Sequence, residues 1–264
     1  MWELVPTPKR KTIIGTKWVH RIKFDENGKP VKNKSRLVAQ GFNQEGLDYE
    51  ETFPPVAKLE AIRLLCAFAS HKKIKLFQMA MKSAFINGYI QEEVYDRQPP
   101  SFEDHEHPNY VIKLNKALYG LKQAPRARYE MLSTFLIQNG YVRGHVDNTL
   151  FIKKNNDDML ICQIYVDDII FGATNPFMCG DFCDLKKGEF EMSMMRELTF
   201  FLGLQIKQLE DGIFIHQSKY TKNLLKKFKM EGSKEMPTPM SSTLKLDKDE
   251  EGKPVDQKLY RGII

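Results

Sequence analysis

The stretch Leu160-Ile161-Cys162-Gln163-Ile164-Tyr165-Val166-Asp167-Asp168-Ile169-Ile170-Phe171 decides how this chain is read. Two apolar, β-branched runs flank a short polar break, and Gly172 follows closely, which is the pattern of two strands in a tight hairpin. The break holds two adjacent carboxylates. Like charges side by side repel and resist burial unless something positive lies between them. A divalent ion held by oxygen ligands is the usual answer, while Asp-Asp is also ordinary turn chemistry. The dipeptide alone leaves both readings open, and the hydrophobic flanks favour the first by holding the carboxylates near a core.

Working outward, 264 residues suit one large domain or two small ones with a proper core. A net charge of +6 permits a nucleic-acid partner without demanding one. Its distribution says more: ten Lys or Arg lie between Lys9 and Arg36, against Asp25 and Glu26. From Lys17 to Phe24 basic and apolar residues alternate as in a strand with one wet face. Asn27-Gly28 reads as a turn and Ser35-Arg-Leu-Val-Ala39 as the returning strand. A basic β-hairpin is therefore expected within about 13–42, carrying Lys17, Lys23, Lys34 and Arg36. Such a face is either merely solvated or a clamp on phosphates, with Arg able to grip bidentately.

Cys66 and Cys162 sit in apolar runs as core thiols, and Cys179 and Cys183 lie one helical turn apart without a second pair to complete a zinc set. His105 and His107 have the same deficit. With no signal peptide and no apolar run near the roughly 18 residues of a membrane span, a reduced, intracellular, cytoplasmic protein with no membrane partner is expected.

Elsewhere, Leu59, Ile62, Cys66 and Ala69 predict an amphipathic helix to about His71, and residues 74–80 a strand. Residues 83–88 read as a short helical turn ending at Gly88. Leu118-Tyr-Gly-Leu-Lys-Gln-Ala-Pro-Arg126 opens a helix to about Asn139, with Tyr129, Leu132, Phe135 and Leu136 as its apolar stripe. Asn175-Pro176 predicts an N-cap followed by a first-turn proline. Residues 200–206 and 212–216 form a hairpin about Asp211-Gly212, and Ser218 caps a basic amphipathic helix. Residues 231–256 are polar, charged and proline-bearing, as in an exposed linker.

These motifs in this order resemble the reverse transcriptase domain of copia-type LTR retrotransposons, in a plant-like form. The resemblance runs over nearly the whole chain and rests on Lys17-Trp-Val19, Ser35-Arg-Leu-Val-Ala-Gln-Gly-Phe42, Asp48-Tyr-Glu-Glu-Thr-Phe53, Ala84-Phe85, Asn87-Gly88, Gln98-Pro-Pro100, Ala117-Leu-Tyr-Gly-Leu-Lys-Gln-Ala-Pro-Arg126, Tyr165-Val-Asp-Asp168 and Phe201-Leu-Gly203. It implies an α+β, right-hand polymerase fold: fingers and palm over 1–230, an antiparallel palm sheet backed by helices, and a thumb mostly missing. Residues 231–264 would be a linker and the truncated start of a thumb or connection. The chemistry implied is nucleotidyl transfer with two Mg²⁺ ions, Mn²⁺ being a possible substitute. Asp167 and Asp168 fall on the metal ligands and catalytic carboxylates. Lys17, Lys23, Arg36, Phe85, Gln123 and Tyr165 fall on the nucleotide site, and Leu202 and Gly203 on the primer grip. The partners implied are an RNA or DNA template with its primer, deoxynucleoside triphosphates, and the thumb, ribonuclease H and integrase parts of a polyprotein. A virus-like particle is the implied setting of an intact element.

The departures carry as much meaning. The family's third carboxylate sits in a Gln-Met-Asp-Val pattern, and this chain reads Gln78-Met79-Ala80-Met81. Losing a ligand should cost more than the roughly 10–100-fold typical of groups that only support ligands. Arg128 stands where the family has Trp, and an unpaired guanidinium is costly if that position is buried. Three expectations follow: an active polymerase, a catalytically dead template–primer-binding domain, or a non-functional remnant that folds poorly. The missing carboxylate favours the last two.

Overall fold

The structure, a computed structural model, describes residues 2–24, 29–44, 54–56, 58–81, 88–235, 252 and 256–262. The chain opens with β1 (Trp2–Pro6), the short β2 (Ile13–Ile14), and the hairpin of β3 (Thr16–Phe24) and β4 (Pro30–Ala39). Helix α1 (Leu59–His71) leads into β5 (Leu76–Ala80), β6 (Tyr89–Arg97) and β7 (Tyr110–Lys116). Helix α2 (Ala124–Gln138) is followed by β8 (Val142–Arg143), β9 (Leu150–Asn155), β10 (Asp158–Tyr165) and β11 (Asp168–Ala173). Then come α3 (Pro176–Glu189), β12 (Arg196–Glu197), β13 (Phe200–Phe201), β14 (Leu204–Gln208), β15 (Ile213–His216), α4 (Ser218–Lys227) and α5 (Gln257–Arg261). The mixture of helices and sheets expected from the sequence is present.

Two compact units divide the chain, residues 1–198 with 210–212 and residues 199–209 with 213–264. In the first, a six-stranded sheet runs β12-β5-β11-β10-β9-β8 with every pairing antiparallel. Strand β11 explains the unbroken apolar run. Ile169, Phe171 and Ala173 enter a core shared with Leu132 and Leu136 of α2 and with Cys179, Phe182 and Cys183 of α3. Ile170, on the opposite face, is equally buried. A strand covered on both sides reads as continuous hydrophobicity rather than alternation. Helix α1 buries Ile62, Cys66 and Ala69 as the sequence predicts, and Leu65 beside them, while Leu59 at its start is only half-buried. Asn175 caps α3 by accepting the Phe177 N–H at 3.1 Å, as expected.

A second sheet runs β1-β7-β6-β2, with β2 parallel to β6 and the other pairs antiparallel. The β3–β4 hairpin is a separate two-stranded sheet. Its register pairs Lys17 with Val38, Val19 with Arg36 and Arg21 with Lys34, and alternation adds Lys32. Lys17, Arg21, Lys32, Lys34 and Arg36 therefore share one face. Trp18 lies on the other, where its indole N–H donates to Pro100 O at 3.0 Å and its ring meets Phe102 at 5.6 Å.

The hairpin is anchored again by a backbone interlock. Ala39 N donates to Tyr119 O at 2.7 Å, and Gly120 has φ +94°. A Cβ at Gly120 would sit 2.1 Å from Ala39 O, and one at Gly41 2.1 Å from Gly120 O. Both positions need a residue without a side chain, and Gly120 needs one tolerant of positive φ.

In the second unit, Leu202 (φ +48°) and Gly203 (φ +83°) make the two-residue turn between β13 and β14. The strand expected over 200–206 is thus broken there, because two successive positive φ values turn the chain back. Strands β14 and β15 pair antiparallel on either side of residues 209–212, as the Asp211-Gly212 turn predicts. Ser218 is not the N-cap of α4. Gln217 holds that position without a side-chain bond, and the Ser218 hydroxyl is 2.9 Å from His216 Nδ1 instead. No helix among the described residues is long and apolar enough to cross a membrane.

Candidate active site at the Asp167–Asp168 hairpin

Strands β10 and β11 pair from Leu160 with Ala173 down to Tyr165 with Asp168, leaving Val166 and Asp167 as the loop. Val166 has φ +46°, an uncommon conformation for a β-branched residue that costs energy. Asp168 begins β11, directly opposite Ala80 at the end of β5. Met81 N donates to Asp167 O at 2.9 Å, tying the loop to the same strand. On its other side Ala80 is held by Ser193, whose Oγ accepts the Ala80 N–H at 2.7 Å and whose N–H donates to Ala80 O at 2.8 Å. Residue 80 is thus fixed directly across from Asp168, next to the residue that ties down Asp167, and its side chain is a methyl group.

The counter-charge comes from α2. Its inward stripe runs Ala124, Arg128, Leu132, Leu136 at four-residue spacing, so residue 128 is buried by position. Arg128 is 2% exposed, and its Nε lies 3.7 Å from Asp167 Oδ1. That distance is an ion pair without a hydrogen bond. Nε and Nη2 of Arg128 and Oδ1 of Asp167 are all buried, with no hydrogen-bond partner among the described residues. Burial pushes the Asp167 carboxyl above its ordinary value, and Arg128, then Arg36 and Lys34, pull it back. Asp168 is raised by burial and by Asp167, against the pull of Arg128 and Arg196. Burial lowers Arg128, and the two aspartates oppose that shift.

Arg36 and Lys34 therefore reach the site electrostatically from the basic face of β4. The Arg36 guanidinium lies 5.3 Å from the centre of the Tyr119 ring, which the interlock places there. Tyr119 and Arg128 are the two neighbours that reasoning from the chain did not assign to the site, although both lie in the Leu118–Arg126 motif or just beyond it. The other expected nucleotide-site residues are less uniformly placed. Lys17 is exposed on the basic face, Tyr165 closes the hairpin, and Phe85 and the Lys23 side chain lie outside the described residues. Gln123 is buried, and its Oε1 accepts from Gln44 Nε2 at 3.1 Å. Gln44 in turn accepts the Lys122 N–H at 2.9 Å, so Gln123 belongs to a polar brace between the segment after β4 and the start of α2. Leu202 and Gly203 form their turn in the second unit, with Leu202 39% exposed.

Against this geometry, the chain matches the family model described as reverse transcriptase (RNA-dependent DNA polymerase) over residues 1–242. The chain belongs to the reverse transcriptase family. It is 38% identical, across its whole length, to the retrovirus-related Pol polyproteins from transposons RE2 and RE1 of Arabidopsis thaliana. It is 35% identical over 94% of its length to that from transposon TNT 1-94 of Nicotiana tabacum. These are copia-type plant retrotransposons. The chain spans 18% of the length of the two Arabidopsis polyproteins and 19% of the tobacco one.

Reverse transcriptases work with divalent metal ions, so the donor set must be tested against them. Hard cations such as Mg²⁺ want a shell of oxygen ligands and usually take one or two carboxylates each from the protein. Here two carboxylates would serve two ions. Among the described residues no group of three His, Cys, Asp or Glu side chains could hold a metal. The segment 82–87 carries no carboxylate in its sequence. A buried guanidinium already stands beside Asp167. These residues do not fit a pair of divalent ions.

Proposed function

We propose that this reverse transcriptase domain binds template–primer duplex and deoxynucleoside triphosphates but transfers nucleotides little or not at all. The observation that carries the reading is the register of β5 against β11, which puts the Ala80 methyl opposite Asp168 where a third carboxylate would complete the site. The β3–β4 hairpin is the fingers element and its five aligned cations are the phosphate-binding surface, with Arg36 and Lys17 toward the triphosphate. The six-stranded sheet with α2 and α3 is the palm. The Leu202–Gly203 turn is the part assigned to the primer end.

Binding and extension are measured on one poly-rA/oligo-dT duplex. Binding should weaken steeply as salt rises, since each neutralised phosphate releases counter-ions with a log–log slope of about −0.9. Primer extension with Mg²⁺ or Mn²⁺ should stay at background. Extension by the unaltered chain at rates typical of polymerases overturns the reading, as does salt-insensitive binding.

A second reading, a non-functional element remnant, is favoured by one specific observation. Asp96, Arg128 and Lys186 are ionisable side chains buried to 2% exposure or less, with polar atoms that lack hydrogen-bond partners among the described residues. Absence of a cooperative thermal transition supports it over the first.

A further inference from the structure

The mismatch between the donor set and divalent ions has a positive side, because part of the charge that the two carboxylates need is already present in the chain. We propose that Arg128 is a built-in counter-ion of the Asp167–Asp168 pair, occupying the electrostatic place of a divalent ion and closing the site to metals. This rests on the reading that the site is not a working metal centre, and adds what stands in the metal's stead.

Four observations carry it. Arg128 lies on the buried stripe of α2, so its guanidinium is delivered to the hairpin by the helix and not by a flexible surface stem. Its Nε is 3.7 Å from Asp167 Oδ1, with the Arg128 side chain 3% exposed and the Asp167 side chain, 38% exposed, turning that one oxygen inward. Among the described residues, Nε and Nη2 of Arg128 find no other acceptor, and Asp167 Oδ1 no other donor. The position from which a third carboxylate would raise the negative charge further is Ala80, directly across from Asp168.

Removing the third carboxylate and inserting a buried cation thus act in the same direction. Two carboxylates facing one tethered guanidinium carry a net charge of −1, where three facing none would carry −3. A divalent ion entering the present site must lie beside a fixed positive charge in a medium that screens poorly. One partner of a buried pair cannot be removed cheaply, because the other is left as an uncompensated charge. A metal ion should then repair the loss of Arg128, and only that loss.

The test uses the full chain with Mn²⁺ as probe, read by the electron paramagnetic resonance signal of free Mn²⁺ and by the thermal unfolding midpoint. The unaltered protein should neither bind Mn²⁺ in the micromolar range nor shift its midpoint in its presence. Arg128→Gln should lower the midpoint without metal, bind Mn²⁺ at least about tenfold more tightly than the unaltered chain, and recover stability as Mn²⁺ is added. Arg128→Lys, which keeps a cation, should stay indifferent to Mn²⁺. The pair Ala80→Asp with Arg128→Gln should bind more tightly still.

Equal Mn²⁺ affinity in the unaltered chain and Arg128→Gln overturns the proposal. If Arg128→Gln does not fold under any condition, Asp167→Asn decides. A lowered, Mn²⁺-independent midpoint supports the ion pair, and an unchanged midpoint overturns it. Failure here is distinct from failure of the functional reading, since an unaltered chain that ignores Mn²⁺ and extends no primer can still have an Arg128→Gln variant that also ignores Mn²⁺.

Discussion

The shaft and the tip of the β10–β11 hairpin are built to opposite standards. Along the shaft, Leu160, Ile161, Cys162, Ile164, Ile169, Ile170 and Phe171 are all 2% exposed or less, and Phe171 packs at 4.8 Å against Phe182 of α3. At the tip, two carboxylates follow the strained Val166, with the Ala80 methyl across from Asp168 and the Arg128 guanidinium 3.7 Å from Asp167 alone. The shaft depends on burying apolar area, a bulk property that many residues supply together. The tip depends on single atoms at single positions. A fold of this kind can therefore stand whether or not its tip is chemically complete, because different residues carry the two.

The largest expected effect lies in the shaft. Phe171→Ala should cost about 3–5 kcal/mol in a urea titration, the range for truncating a fully buried aromatic. A cost under about 1 kcal/mol would mean that this core is not closed, and the contrast with the tip would fail.

Charges buried away from the tip sharpen the comparison. Asp96 on β6 is 1% exposed, neither carboxyl oxygen has a hydrogen-bond partner among the described residues, and burial pushes it up to about 7. With its folded value above its unfolded one, the native state holds the proton more tightly. Stability should therefore fall as pH rises from 3.8 to about 7 and level off above. Asp96→Met should remove this dependence and stabilise the protein above pH 7 by about 1–3 kcal/mol, as monitored by thermal melts across the pH range. A slope that survives the substitution would assign it to other groups.

Lys186 on α3 should give the smaller effect. It is 0% exposed, but three rings surround it, Phe135, Phe190 and Phe182 at 4.7, 5.3 and 5.7 Å from its ammonium, and their negative faces offset part of the cost. Burial depresses it to about 7, with Arg128 adding to the fall and Cys162 opposing it. The folded state here binds the proton less well, so stability should rise with pH between about 7 and 10.5 and be lost below. Lys186→Met should flatten that rise, and equal slopes in both proteins would contradict the assignment.

The shaft was legible in the sequence because periodicity reports burial directly. Residues 160–171 and the α1 spacing of Leu59, Ile62, Cys66 and Ala69 are examples, and the Asn175 cap was legible from local chemistry. The tip was legible only in part. Asp167 and Asp168 announce themselves, and Ala80 stands out once the strand carrying it is recognised. The approach of Arg128 to Asp167 joins residues 39 positions apart in the chain through a helix orientation that no local pattern encodes. The interlock of Gly41 with Gly120, which brings Arg36 to Tyr119, is likewise a contact across nearly 80 positions. Asp96 and Lys186 give no warning either, since a charged residue in a strand or helix ordinarily faces water. Ser218 misled because a serine before an amphipathic run is a good cap by composition, and the turn geometry handed that role to Gln217.

The measurement that tests the account most directly is primer extension on poly-rA/oligo-dT with Mg²⁺ or Mn²⁺, run side by side on the unaltered chain, Ala80→Asp, and Ala80→Asp with Arg128→Gln. The account predicts no extension by the unaltered chain, little by Ala80→Asp while the guanidinium remains, and clear extension only when the carboxylate is restored and the counter-ion removed. Extension by the unaltered chain at the level of the doubly altered protein would contradict it, showing that two carboxylates beside Arg128 already suffice for the chemistry.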